Sequence, residues 1–147
     1  MGYDALKLSS QLCFPLYAAS KGLVSKYTPI LKKIDLTYTQ YISMLALWEH
    51  EQLTSKQLGN LLYLDSGTLT PVLKSLEGKG YVKRERSKDD ERILNVSLTE
   101  VGKRLKDAAV GIPAEIAACL NLKEDEAIQL YTILHKILNG FEGEVEQ

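Results

Sequence analysis

Apolar residues recur at helical spacing along most of the chain and alternate in only one stretch. Leu8, Leu12, Leu16, Ala19 and Leu23 predict an N-terminal helix with a defect at Pro15. Pro15 lacks the amide that would bond to the Gln11 carbonyl, so either the regular helix starts only near Phe14 or it bends there. Tyr41, Met44, Leu45 and Trp48 predict a helix over about 38–50, opened by Thr37 and Gln40 in a capping box. Thr54 and Gln57 repeat that box before Leu58, Leu61 and Leu62, giving a short helix to about Tyr63 after a brief link, His50 to Leu53. Asp65-Ser66-Gly67-Thr68 opens a third helix, striped by Leu69, Val72, Leu73 and Leu76 and stopped by Gly78 and Gly80. Pro71 falls in its early turns, where a missing donor is tolerable.

The period then changes. Tyr81 to Arg86 and Arg92 to Leu98 are β-prone around the polar turn Ser87 to Glu91, and read as a hairpin whose inner face is Ile93 or Leu94, Val96 and Leu98. Thr99-Glu100 caps a long helix through Leu105 and Ile112, with a kink expected at Gly111 and Pro113. A last helix is expected to begin near Asn121, capped with Glu124, its apolar face running from Ala127 and Leu130 to Leu138 and Phe141. The fold class is therefore mainly α, an α+β winged helix-turn-helix. Residues 37–99 form the lobe within a single chain domain, 1–147, and 1–36 with 100–147 supply flanking helices. Those apolar terminal helices either pack against a second copy or cover the monomer's own core.

At 147 residues with 45% hydrophobic and 25% charged side chains, the composition is that of one ordinary globular domain. A net charge of -1 argues against nucleic acid. The average hides an asymmetry. Residues 1–73 carry six Lys and Arg against five Asp and Glu, 74–106 ten against six, and 107–147 two against eight. The basic middle segment contains the hairpin. The longest charge-free stretches, Leu8 to Ser20 and Leu36 to Trp48, have 13 residues each, short of the roughly 20 that span a bilayer. No membrane helix or leader is indicated. Two cysteines far apart, Cys13 and Cys119, fit a cytoplasmic chain with reduced thiols, and with no Cys-x-x-Cys neither a metal nor another cofactor is expected.

In this element order the third helix offers its polar start to the major groove and the hairpin reaches the backbone or minor groove. Ser66, Thr68 and Thr70 are small hydroxyls suited to phosphates or bases, with Lys74 a turn further on. Read locally, the same hydroxyls are helix caps. The cations Lys83, Arg84, Arg86, Lys88 and Arg92 on the hairpin favour DNA.

Leu64-Asp65-Ser66-Gly67-Thr68-Leu69-Thr70-Pro71, Leu76-Glu77, Arg86-Ser87, Asp89-Asp90-Glu91-Arg92 and Ser97-Leu98-Thr99-Glu100 together resemble the MarR family of bacterial transcriptional regulators, over nearly the whole chain. Within it, Gln11-Leu12-Cys13-Phe14 with Tyr17, Tyr27 and Tyr38 is similar to the organic hydroperoxide resistance regulators. The resemblance implies a homodimer built on the terminal helices and a pseudopalindromic double-stranded operator. It places Ser66, Thr68 and Thr70 on the DNA-facing helix, Arg92 in the minor groove, and Asp90 as the acid that steadies Arg92. It also implies a repressor rather than an enzyme, released when an organic hydroperoxide oxidises Cys13 to sulfenic acid. Tyr27 and Tyr38 match tyrosines that reach the sensor across the dimer, with Tyr17 as helper. Cys119 matches a resolving cysteine that closes an intersubunit disulfide in two-cysteine members. Taken by themselves, both cysteines also fit small core hydrophobes. A repressor gated by a phenolic or lipophilic small molecule, a thiol peroxidase, and a winged helix used for protein contacts alone are the competing readings.

Overall fold

Seven α-helices and three short strands make up residues 2–145, which the computed structural model describes. In chain order they are α1 (Cys13–Lys32), α2 (Tyr38–His50), β1 (Gln52–Thr54), α3 (Ser55–Leu62), α4 (Ser66–Gly78), β2 (Val82–Arg86), β3 (Leu94–Leu98), α5 (Glu100–Ala109), α6 (Ile112–Leu120) and α7 (Glu124–Val145). The chain divides into two units after Pro113.

In the first unit, Pro15 decides where α1 begins. As the third helical residue it sits among amides that have no partner inside a helix, so the late start at Cys13 removes the defect. Leu8 and Leu12 therefore lie outside the α-helix. Two 3-10 turns, Tyr3–Leu6 and Leu8–Ser10, precede it, joined by the Gln11 side chain, which donates to the carbonyls of Ala5 (2.7 Å) and Lys7 (3.0 Å). At its other end α1 runs well past Leu23, with Pro29 inside it. Burial explains the extension: Leu31 is completely enclosed, and Tyr27 and Ile30 pack on the same core.

Both expected capping boxes form, at Thr37 with Gln40 and at Thr54 with Gln57. Asp65 caps α4 and Thr99 caps α5. Leu31, Met44, Leu47, Leu58, Leu73, Leu76 and Val96 form the fully buried centre, each such side chain adding about 1.5–3 kcal/mol of transfer free energy. The link from His50 to Leu53 is more than a turn. Glu51 adopts a positive φ of 62°, and β1 pairs antiparallel with β3 through Gln52–Ser97, Leu53–Val96 and Thr54–Asn95. The sheet order is β1-β3-β2, which leaves β2 on an edge.

Two joints tie helices to the hairpin. The Trp48 indole donates to the Gly102 carbonyl at 2.9 Å, and a Cβ at Gly102 would collide with the Tyr81 carbonyl oxygen, so only glycine lets α5 pass the start of β2. Buried Gln40 is the second joint. Its Oε1 accepts from the Thr37 amide (3.0 Å) and Lys79 Nζ (3.2 Å), while its Nε2 donates to Ser75 Oγ (2.9 Å), linking the start of α2 to the end of α4.

The helix expected to kink near Gly111 breaks instead into α5 and α6, with Val110 and Gly111 between them and Pro113 second in α6. A proline there has no amide to continue the earlier ladder, which ends one helix and suits the first turn of the next. In the second unit, Asn121 takes a left-handed φ of 53° directly after α6, so it terminates that helix rather than opening the next. The cap of α7 lies two residues later: the Lys123 amide donates to Glu126 Oε1 at 2.9 Å. Along α7, Ile128, Leu130, Tyr131, Ile133, Ile137 and Phe141 are all exposed.

Candidate nucleic-acid interface and thiol site

Ser66 is the first residue of α4 because Asp65 stops the preceding turn and accepts the Thr68 amide at 2.7 Å. The amide and then the hydroxyl of Thr68 hold the Asp65 carboxyl below its ordinary range. Leu69, Leu73 and Leu76 face inward, which leaves Ser66, Thr68, Thr70 and Lys74 exposed. The Thr70 hydroxyl donates to the Ser66 carbonyl at 2.7 Å, so its proton is used locally and its oxygen keeps acceptor capacity.

The hairpin turn is held by local bonds: the Ser87 amide donates to the Ile93 carbonyl (2.8 Å), and the Ile93 amide to the Asp90 carbonyl (3.0 Å). At its tip, Asp90 takes the Arg92 guanidinium with both oxygens, Nε to Oδ1 and Nη2 to Oδ2, each at 3.0 Å. A third bond, from the Arg92 amide at 3.0 Å, completes the clamp. The guanidinium and then the amide lower the Asp90 pKa, and the carboxylate raises that of Arg92. The Arg92 side chain is nevertheless 90% exposed. It is a cation held in one orientation and open to solvent. Arg86 is exposed too, with Nη1 donating to the Glu91 carbonyl at 3.2 Å.

Arg84 is placed differently. It is half-buried and turned to Glu77 of α4: Nη2 donates to Oε1 at 3.1 Å, and the Arg84 amide donates to Oε2 at 3.0 Å. Those two bonds, the side-chain one first, lower the Glu77 pKa. Sequence spacing alone gave no sign of this pair, which joins a helix end to a strand.

Cys13 is exposed and is the first residue of α1, where the helix's own amides are unpaired. Exposed Leu12, Phe14 and Leu16 surround it in the chain. Tyr17, one turn on, is also exposed, with Lys21 Nζ 5.3 Å from its ring centroid. Tyr27 and Tyr38 meet at 4.9 Å between centroids, and Tyr41 joins them 5.7 Å from Tyr27. In the sequence Tyr41 only helps to mark a helix; its place three residues after Tyr38, on one helix face, is the signal that joins it to this cluster. Burial, then the neighbouring Tyr38 and Tyr41, push the Tyr27 phenol up to about 12. Burial raises Tyr38 and Tyr41 as well. All three are therefore neutral phenols at physiological pH, able to donate. In the second unit, Cys119 is exposed on α6, its thiol donating to the Glu115 carbonyl at 3.4 Å. Among the described residues no cluster of His, Cys, Asp and Glu could hold a metal, and no helix is long and apolar enough to cross a membrane.

Residues 25–109, from mid-α1 to the end of α5, match the family model described as transcriptional regulator SarA/Rot. The chain is 48% identical over 136 residues to the organic hydroperoxide resistance transcriptional regulator of Bacillus subtilis strain 168, covering 92% of each. It is also similar to solved structures of AbfR, a protein of Staphylococcus epidermidis. Reduced AbfR bound to DNA is 34% identical, covers 99% of both chains and has a TM-score of 0.82. The disulfide form is 36% identical over 94% of both, with a TM-score of 0.67. With the winged lobe and these relatives in agreement, the chain belongs to the MarR/SarA-type family of transcriptional regulators, with an organic hydroperoxide resistance regulator among its relatives.

Proposed function

We propose that the protein is a cytoplasmic transcriptional repressor that binds a pseudopalindromic operator as a homodimer and releases it when an organic hydroperoxide oxidises Cys13. The observation that carries the redox part is the exposed thiol of Cys13 at the first position of α1, between apolar neighbours that favour an organic peroxide over a small polar one. For DNA, α4 lays its exposed hydroxyls and Lys74 along the major groove, while Arg92, fixed by Asp90, enters the minor groove, where guanidinium suits the negative potential. Arg86 adds a backbone contact, and Arg84 acts through the wing's position rather than at a phosphate.

Distance supports the homodimer. Tyr27 lies 14 residues after Cys13 on the same helix, about 21 Å along its axis, too far for its phenol to reach its own thiol. A second copy can bring the two together. Neutral phenols of Tyr27 and Tyr38 then donate to the Cys13 sulfur, with Tyr17 lining the approach. The thiolate attacks the outer oxygen of the hydroperoxide; the O–O bond breaks, the alkoxide leaves as the alcohol after taking a proton, and sulfur is oxidised to sulfenic acid. Attack by the Cys119 thiolate of the second copy on that sulfur forms the S–S bond and breaks the S–O bond, and the expelled hydroxide takes a proton from solvent and leaves as water. The reaction is a single stoichiometric switch, not a turnover.

Mass spectrometry of protein treated with one equivalent of cumene hydroperoxide tests this chemistry. A Cys13–Cys119 linked peptide is expected, converting on Cys119→Ser to Cys13 oxygen adducts. Unmodified Cys13 after treatment would defeat the sensor assignment.

A further inference from the structure

The wing and the DNA-facing helix are joined by one side-chain clamp, and we propose that this clamp, Glu77 on α4 with Arg84 on β2, is a positioning device that sets where the wing arginine meets DNA. The inference rests on the DNA-binding reading above. Because β2 is an edge strand, some of its amides point away from β3. The amide of Arg84 goes to Glu77 Oε2, and the guanidinium of the same residue goes to Oε1. One carboxylate thus grips both the backbone and the side chain of a single wing residue. The backbone bond fixes the distance of the strand from the helix, and the guanidinium bond resists its rotation. From there the ladder pairs Arg84 with Val96 and Arg86 with Leu94, so any displacement of β2 is carried to the turn that bears Arg92.

The base of the hairpin is anchored separately, by the Tyr81 amide on the Leu76 carbonyl and by buried Val82. Glu77 and Arg84 act beyond that anchor, nearer the tip. Their geometry is a poor device for stability. Both side chains keep some exposure, 20% for Arg84 and 39% for Glu77, and Arg84 Nε is buried with no hydrogen-bond partner among the described residues. Position is what the clamp supplies.

A double-mutant cycle on the full chain distinguishes this role from a structural one. The probe is a duplex selected from a randomised library by the wild-type protein, with affinity read by fluorescence anisotropy. Alone, E77A should weaken binding about tenfold; in the Arg92→Ala background it should weaken it less than about twofold, because the group being positioned is gone. E77Q keeps an oxygen for the Arg84 amide and should recover part of the affinity. Hydroxyl-radical footprints of E77A should lose protection in the minor groove at the wing and keep it in the major groove, with the thermal midpoint of the free protein unchanged. Equal losses from E77A in both backgrounds, or a loss tracked by a lower midpoint, would overturn the positioning role. If the wild-type protein selects no duplex, the DNA-binding reading itself fails, a result separate from the outcome of the cycle.

Discussion

Helices α4 and α7 both carry apolar stripes at helical spacing, yet they end in opposite situations. Leu69, Leu73 and Leu76 of α4 are at most 3% exposed, whereas Ile128, Leu130, Tyr131, Ile133 and Phe141 of α7 are 43–64% exposed. The winged lobe buries what its sequence offers. The terminal helix leaves a large apolar surface open, which soluble monomers rarely do. Charge follows the same division: ten Lys and Arg against six Asp and Glu over 74–106, and two against eight over 107–147. One region is a finished fold with a cationic face; the other carries the exposed apolar surface that the proposed homodimer would cover.

Polar substitution on α7 should break that contrast with the largest effect. Leu130→Asp is expected to shift the protein to monomer in sedimentation equilibrium and, by removing the second half-site, to weaken operator binding about 10²–10⁴-fold. A dimer that survives the change would show that this surface serves something else. The matching change in the lobe acts through folding alone. Leu73→Ala, at a 1% exposed site, should cost about 2–5 kcal/mol in urea unfolding, with the loss independent of protein concentration.

Smaller effects sharpen the picture at the cationic face. Arg92→Ala should cost about 1–3 kcal/mol of operator affinity while leaving the melting temperature unchanged, since its side chain is 90% exposed. An unaltered affinity would remove the wing from the DNA contact. The smallest effect lies in the tyrosine cluster. Tyr27 is raised from 10.0 to about 12, so the unfolded chain releases this proton first. The stability linked to it is intact below pH 10.0 and is lost as pH rises toward about 12. Ultraviolet titration of the phenolates should show late-titrating groups, one of which Tyr27→Phe removes.

The lobe was legible because its signals are local. Thr37 with Gln40, Thr54 with Gln57 and Asp65 before Ser66 announce helix starts by chemistry that needs no tertiary context. Three features lay beyond such signals. β1 is three residues long and exists through its pairing with β3, far away in sequence. The second half of α1 depends on burial of Leu31, which overrides Pro29. Asn121 resembles a cap in sequence, but its left-handed φ makes it a stop. The candidate site divides in the same way: Cys13, the α4 hydroxyls and the Asp90–Arg92 pair follow from short motifs, while the Glu77–Arg84 clamp and the place of Tyr41 beside Tyr27 required the packed chain.

Oxidation at Cys13 should release DNA, and a paired anisotropy titration reads that release. With a duplex selected by the reduced protein, one equivalent of cumene hydroperoxide per subunit should release wild-type protein, and dithiothreitol should restore binding. Cys13→Ser should stay bound throughout. Release of Cys13→Ser by the same peroxide, or wild-type protein that remains bound with Cys13 fully oxidised, would contradict the account.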